Sequence, residues 1–147
     1  MAQPHPIKND VIMLVTTVTK NRIHLFSNPA FAREAIERLY RVQEIHPFFL
    51  HAFVIMPDHC HILLNVPAPE SISRVMHSYK TGLVLDFGLY KNIWQPRFHL
   101  RIVHNASRVM SYVHQNPVRA EIVEIAKDYP WSSACGKWDI TPLGFNQ

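Results

Sequence analysis

Apolar positions along this chain switch between two rhythms. Asp10 to Thr19 is almost unbroken in β-branched and apolar residues, which predicts a mostly buried strand. Ser27-Asn28-Pro29 then reads as a helix start, with a polar cap and proline in the first turn. Phe31, Ala35, Ile36, Leu39, Tyr40 and Val42 follow at near-helical spacing to about Ile45, and Pro47 stops that helix. Phe48 to Met56 and His59 to Val66 are two further strands, joined by Pro57-Asp58 as a tight hairpin connection. Ser71 caps a second helix whose Ile72, Val75, Met76, Tyr79 and Leu83 form one stripe, ending near Gly88. Phe98 to Val103 alternates as a fourth strand. Asn105 to Gln115 is a third helix, which Asn116-Pro117 is expected to end. A short strand or helix is expected around Ile122-Val123, with irregular structure after it.

The order strand, helix, strand, strand, helix, strand, with a helix added at the end, is that of a split βαβ, ferredoxin-like α+β fold. Its first and third strands are central in an antiparallel sheet, with two helices on one face. No internal repeat or linker divides the 147 residues, so one domain spanning 1–147 is expected, with its core at about 10–133. Hydrophobic residues make up 48%, which excludes a chain disordered throughout. No apolar run can span a bilayer. Met1 to Asp10 is polar and does not read as a signal peptide. Two cysteines make a poor disulfide framework and point to a reducing, cytoplasmic setting.

Charge changes the picture more than composition does. The formal net charge is +4, but Ser71 to Arg119 holds seven basic residues against one acid, Asp86, a local net of +6. That asymmetry suggests a polyanion, nucleic acid above all, against the plainer reading of a solvated basic surface. Arg74, Lys80, Arg97, Arg101, Arg108 and Arg119 are candidates to hold phosphates. Trp94 and Phe98 are candidates to stack unpaired bases, or are simply core, and Gln95 to touch a base edge. Tyr79 lies on the apolar stripe and reads as core.

Candidate chemistry centres on Phe53 to Asn65. His59 and His61 stand two apart on a strand and so share a face, with Cys60, Ile62 and Leu64 on the other. Such a pair either grips a divalent cation or merely shares a face. A cation would need a third ligand and open positions. Tyr112 and Asn116 share a face of the third helix. If that face lies over the sheet, Asn116 can offer an amide oxygen and Tyr112 a phenol to whatever the metal polarises. A tyrosine attacking an activated phosphodiester gives a covalent intermediate. Taken singly, Tyr112 reads as a half-buried core residue and Asn116 as a helix terminus.

Taken together, four segments carry a resemblance: Phe53-Val-Ile-Met-Pro-Asp-His-Cys-His-Ile-Leu-Leu64, Trp94-Gln-Pro-Arg-Phe98, Tyr112-Val-His-Gln-Asn-Pro-Val-Arg-Ala120 and Asp128-Tyr-Pro-Trp-Ser-Ser133. In this order, from about Ile12 to Ser133, the chain resembles the single-tyrosine HUH transposases of bacteria and their REP-associated relatives. The resemblance implies His59 and His61 as the metal pair, Asn116 as third ligand, Tyr112 as nucleophile and Mg²⁺ or Mn²⁺ as cofactor. It implies single-stranded and hairpin DNA as partner, cut through a 5′-phosphotyrosine, in a nucleoid-associated monomer or homodimer. Three positions depart from it: Cys60 for a larger aliphatic, Asp58 for Asn, and Glu121 for glycine after Arg-Ala. The alternatives are a hairpin-binding module that no longer cuts, a His-Xaa-His-Xaa-His hydrolase, which Leu63 argues against, and a structural zinc site, which the placing of Cys60 on the opposite face and of Cys135 far along the chain argues against.

Overall fold

A computed structural model describes residues 11–89 and 91–144. The expected strand start at Asp10, the segment Met1 to Asp10 and the last three residues of the tail lie outside the described residues. Strands β1 (Met13–Val18), β2 (Phe49–Met56), β3 (His59–Asn65) and β4 (His99–Ile102) alternate with helices α1 (Pro29–Ile45), α2 (Ile72–Asp86) and α3 (Ala106–Arg119). The sheet is antiparallel in the order β2-β3-β1-β4. The fold is therefore α+β, with the expected central pair, β1 and β3.

Local chemistry sets the helix starts. Asn28, Ser71 and Asn105 each accept a backbone N–H from the first turn that follows, from Ala30, Arg74 and Arg108 respectively. Strand periodicity then divides the core in two. Met13, Val15, Phe53, Ile55, Cys60, Ile62 and Leu64 face α1 and α2 in the larger core. Leu14, Ala52, Val54 and Leu63 face the other way and pack with Val113 of α3. Tyr79 is fully buried in the larger core, and its hydroxyl donates to the Ala35 carbonyl at 2.9 Å.

Two expectations need correction. The third helix does not stop before Pro117 but runs through it to Arg119. The proline ring is buried, and the Asn116, Pro117 and Val118 carbonyls accept from the Ala120, Ile122 and Glu121 amides, so the final turn keeps its partners. Ile122-Val123 forms neither strand nor helix. The tail holds only 3₁₀ turns at Ala126–Asp128 and Ser133–Cys135. It instead follows the free edge of β2, where Ile55 N–H donates to the Trp131 carbonyl and Thr141 N–H to the Leu50 carbonyl.

Candidate active site

The histidine pair is placed by strand register. His59 lies opposite Val18 and Met56, and His61 opposite Thr16 and Val54, so both sit on a central strand. Alternation turns them to the α3 face, while Cys60 enters the opposite core. Their ring centroids are 4.8 Å apart.

Each imidazole is held through Nδ1. His59 Nδ1 lies 2.7 Å from Asp58 Oδ1. A carboxylate can only accept, so that nitrogen carries the proton. Arg22 donates to Asp58 Oδ2 at 2.9 Å from the far side. Burial works to raise the Asp58 carboxyl, but the bonds from His59 and Arg22 outweigh it and hold it below the ordinary carboxylate value. His61 Nδ1 lies 2.8 Å from the Thr16 hydroxyl. Burial, then the charges of His59, Arg119 and Arg101, push His61 down to about 4, so its ring is neutral near neutral pH. A neutral imidazole with Nε2 unengaged, as at His61, is the form a metal ligand must take.

Helix α3 brings the phenol. Val113 anchors it against β2 and β3, which turns the neighbouring Tyr112 toward the histidines. The Tyr112 and His61 ring centroids are 5.9 Å apart, and Tyr112 is 45% exposed. The Arg119 guanidinium lies over the phenol ring at 4.2 Å, and its Nη2 donates to the Tyr112 carbonyl at 2.7 Å. A second bond system fixes the helix from behind. Ser133 Oγ accepts from Phe53 N–H at 3.0 Å and lies 2.8 Å from His114 Nε2. Asn116 is half-buried one turn beyond Tyr112. Among the described residues no three His, Cys, Asp or Glu side chains gather as a metal site, so a third protein ligand beside His59 and His61 must be of another type.

A cleft of about 510 Å³ opens over this centre, lined by Thr16, His61, His99, Arg101, Arg108 and Tyr112 among others. Of the expected phosphate-holding residues, Arg101 and Arg108 thus reach the centre, and Arg119 reaches it through the tyrosine. The others do not. Arg74 lies on α2, beyond the other face of the sheet, in a groove with Arg38 and His46. Lys80 donates its ammonium to the carbonyls of Gln95 and Arg97. Trp94 is 1% exposed and its indole N–H donates to the Lys80 carbonyl, so its expected base stacking gives way to a core role. Gln95 N–H donates to the Val18 carbonyl, which sets it beside the strand end that pairs with His59. Arg97 and Phe98 line a separate groove against α2. Sequence reasoning missed Thr16, Arg22 and His99. Only the parity of Thr16 along β1 hinted at its place, since cross-strand register and a loop arginine's reach leave no local pattern.

A phenol on a helix, set over a His-Xaa-His pair on the central strand of an antiparallel sheet, defines the single-tyrosine HUH class of site. The chain belongs to the IS200-like transposases: the family model described as "Transposase IS200 like" matches residues 8–116. A REP-associated tyrosine transposase of Escherichia coli K12 is 30% identical over 99 residues, 65% of this chain and 59% of that protein. A Haemophilus influenzae relative is 30% identical over 107 residues, 61% of each. The chain thus spans about three fifths of the length of these curated relatives. A solved REP-associated tyrosine transposase bound to a REP hairpin superposes with a TM-score of 0.76 at 25% identity, covering 98% of this chain and 94% of that one.

Proposed function

We propose that this chain nicks and rejoins single-stranded DNA beside a hairpin, using Tyr112 as nucleophile. The observation that carries the reading is the 5.9 Å approach of the Tyr112 ring to His61, whose Nε2 is unengaged. A strand laid in the cleft meets Arg101 and Arg108, which offset phosphate charge. The Tyr112 oxygen attacks phosphorus, the bond to the 3′ oxygen breaks, and the 5′ phosphate stays on the tyrosine. The proton lost by the phenol is balanced by the one gained on the 3′ oxygen. Rejoining is the reverse. The neighbouring structure's hairpin and the family membership both support a DNA hairpin as the partner.

Two imidazole nitrogens and the Asn116 amide oxygen would make the protein's share of a divalent site, and the Mg²⁺ or Mn²⁺ expected from the resemblance would draw the oxygen donors it prefers from water and phosphate at the remaining positions. When bound, such a cation supplies charge for the developing phosphorane and helps the leaving oxygen depart. His59 and His61 would hold it, while Asp58 and Thr16 fix the rings and Arg119 fixes the phenol. The test is incubation with single-stranded hairpin DNA and Mn²⁺, followed by denaturing electrophoresis. A covalent protein–DNA band is expected from the natural sequence. Tyr112→Phe should abolish it while leaving hairpin affinity within about twofold, because one hydroxyl contributes little to a phosphate-dominated interface. A band that persists in Tyr112→Phe rules out this nucleophile.

A further inference from the structure

A second concavity lies across the 94–98 segment from the tyrosine cleft, with a volume of about 480 Å³. That is within the range of small-ligand pockets. Met76, Val84 and Leu85 of α2 form one wall, and Phe98 and the Trp94 indole the other. Leu85 is 70% exposed, and the larger core leaves it out. Lys80 and Arg97 stand among the lining residues, and no carboxylate does. The Arg97 side chain makes no hydrogen bond or ion pair among the described residues, and neither do the polar side chains of His77 and Thr81 beside it.

The segment between the two concavities is firmly built. Lys80 Nζ ties down the Gln95 and Arg97 carbonyls at 3.1 and 2.7 Å. The Asn92 side chain bonds both the N–H and the carbonyl of Trp94. Arg97 is held at φ 68°, a left-handed backbone unusual for a side-chain-bearing residue. Consecutive residues then face opposite ways: Phe98 lines this groove and His99 lines the cleft with His61 and Tyr112. One stretch of backbone is thus the partition between them. A single strand lying in the cleft reaches Phe98 by crossing that partition.

We propose that this groove receives one unpaired base of single-stranded DNA, stacked on Phe98 and enclosed by Leu85 and Val84, with Arg97 on the adjoining phosphate. The proposal rests on the DNA-cleaving reading above and adds to it a base-holding site on the far side of the sheet's rim. Apolar walls inside a carboxylate-free basic rim are the combination that binds unpaired nucleotides: stacking holds the base and cations hold the backbone. A neutral or basic peptide would gain from the apolar wall but not from the rim.

The test uses the whole chain and two fluorescein-labelled probes of equal charge. One is an oligothymidylate of about twelve nucleotides, a usual single-strand site size, and the other an abasic tetrahydrofuran chain of the same length. The natural sequence should bind the oligothymidylate about tenfold more tightly than the abasic chain. Phe98→Ala and Leu85→Ser should each lose most of that preference while keeping affinity for the abasic chain. Arg97→Gln should weaken both probes alike. Leu85 is exposed, so Leu85→Ser carries the test if Phe98→Ala does not fold by circular dichroism. A preference that is absent in the natural sequence, or unchanged in Leu85→Ser, overturns the groove as a base site. Retained, Leu85-dependent preference without a Tyr112–DNA adduct supports the groove and overturns the cleavage reading alone.

Discussion

Asp58 and Glu121, two of the positions where this chain departs from its resemblance, have separate physical meanings. Asp58 binds His59 Nδ1 and is itself held by Arg22, so it orients an imidazole of the proposed metal pair. Carboxylates in that position typically contribute 10- to 100-fold to metal affinity. Asp58→Ala should therefore weaken Mn²⁺ binding about 10- to 100-fold by titration calorimetry, and Asp58→Asn less, because an amide oxygen still accepts from Nδ1–H. Equal affinity in all three proteins would remove Asp58 from the site. Glu121 sits at φ 61°, just past the end of α3. Glycine meets no Cβ penalty there, which is why a glycine suits that place. Glu121→Gly should raise stability by about 1 kcal/mol in urea unfolding. A loss of stability instead would mean that the Glu121 side chain makes a compensating contact.

At the scale of elements, the decisive arrangement is α3 against the sheet. Its apolar side is short, with Val113 and Pro117 buried, so packing alone gives it a modest anchor. The Ser133 hydroxyl adds a specific tie, serving the Phe53 amide of β2 and His114 of α3 together. Ser133→Ala leaves the buried Phe53 N–H without its partner, at a cost of about 1–3 kcal/mol. The expected readout is a lowered urea midpoint with unchanged slope, and slower adduct formation as α3 loses its bond to the tail. A midpoint equal to that of the natural sequence would show that water or a shifted Phe53 satisfies the amide. On the opposite layer, Gly82 lets Arg38 cross α2 to reach Asp86, since a Cβ there would come within 2.8 Å of the guanidinium nitrogen. Asp86, the one acid of the basic stretch, is thereby taken up by Arg38 and Arg41 of α1.

For the whole molecule, the sheet separates two tasks. Its α1–α2 face is packed core, and its α3 face carries the cleft, with the C-terminal tail closing the β2 edge. Tyr129, 6% exposed, is one of the ties of that closure, its hydroxyl donating to the Ile55 carbonyl at 2.6 Å. Burial pushes its pKa from 10.0 to about 12. The folded state holds this proton more tightly than the unfolded chain does. Its contribution is complete below about pH 10, falls as pH rises to about 12, and amounts to about 2–3 kcal/mol. Thermal midpoints should accordingly drop between pH 10 and 12, and Tyr129→Phe should remove part of that drop, the rest belonging to Tyr40 and Cys60, which burial also pushes up to about 12. An unaltered alkaline profile in the variant would place the loss elsewhere.

The sequence by itself determined whatever repeats locally or alternates along one element. Strand parity put His59 and His61 on one face and Cys60 on the other, helical spacing put Asn116 one turn from Tyr112, and polar caps marked the helix starts. Those rules act within a few residues, so they are written in order along the chain. Tertiary structure alone decided which side chains meet across elements: Thr16 on His61, Arg22 on Asp58, Arg119 over Tyr112, and Ser133 beneath α3. It also decided that Trp94 is core and Lys80 a strut, because burial belongs to the assembled fold and not to residue type. Pro117 shows the same division, since a residue that breaks helices locally is kept in one where its ring is buried and the last carbonyls find donors beyond it.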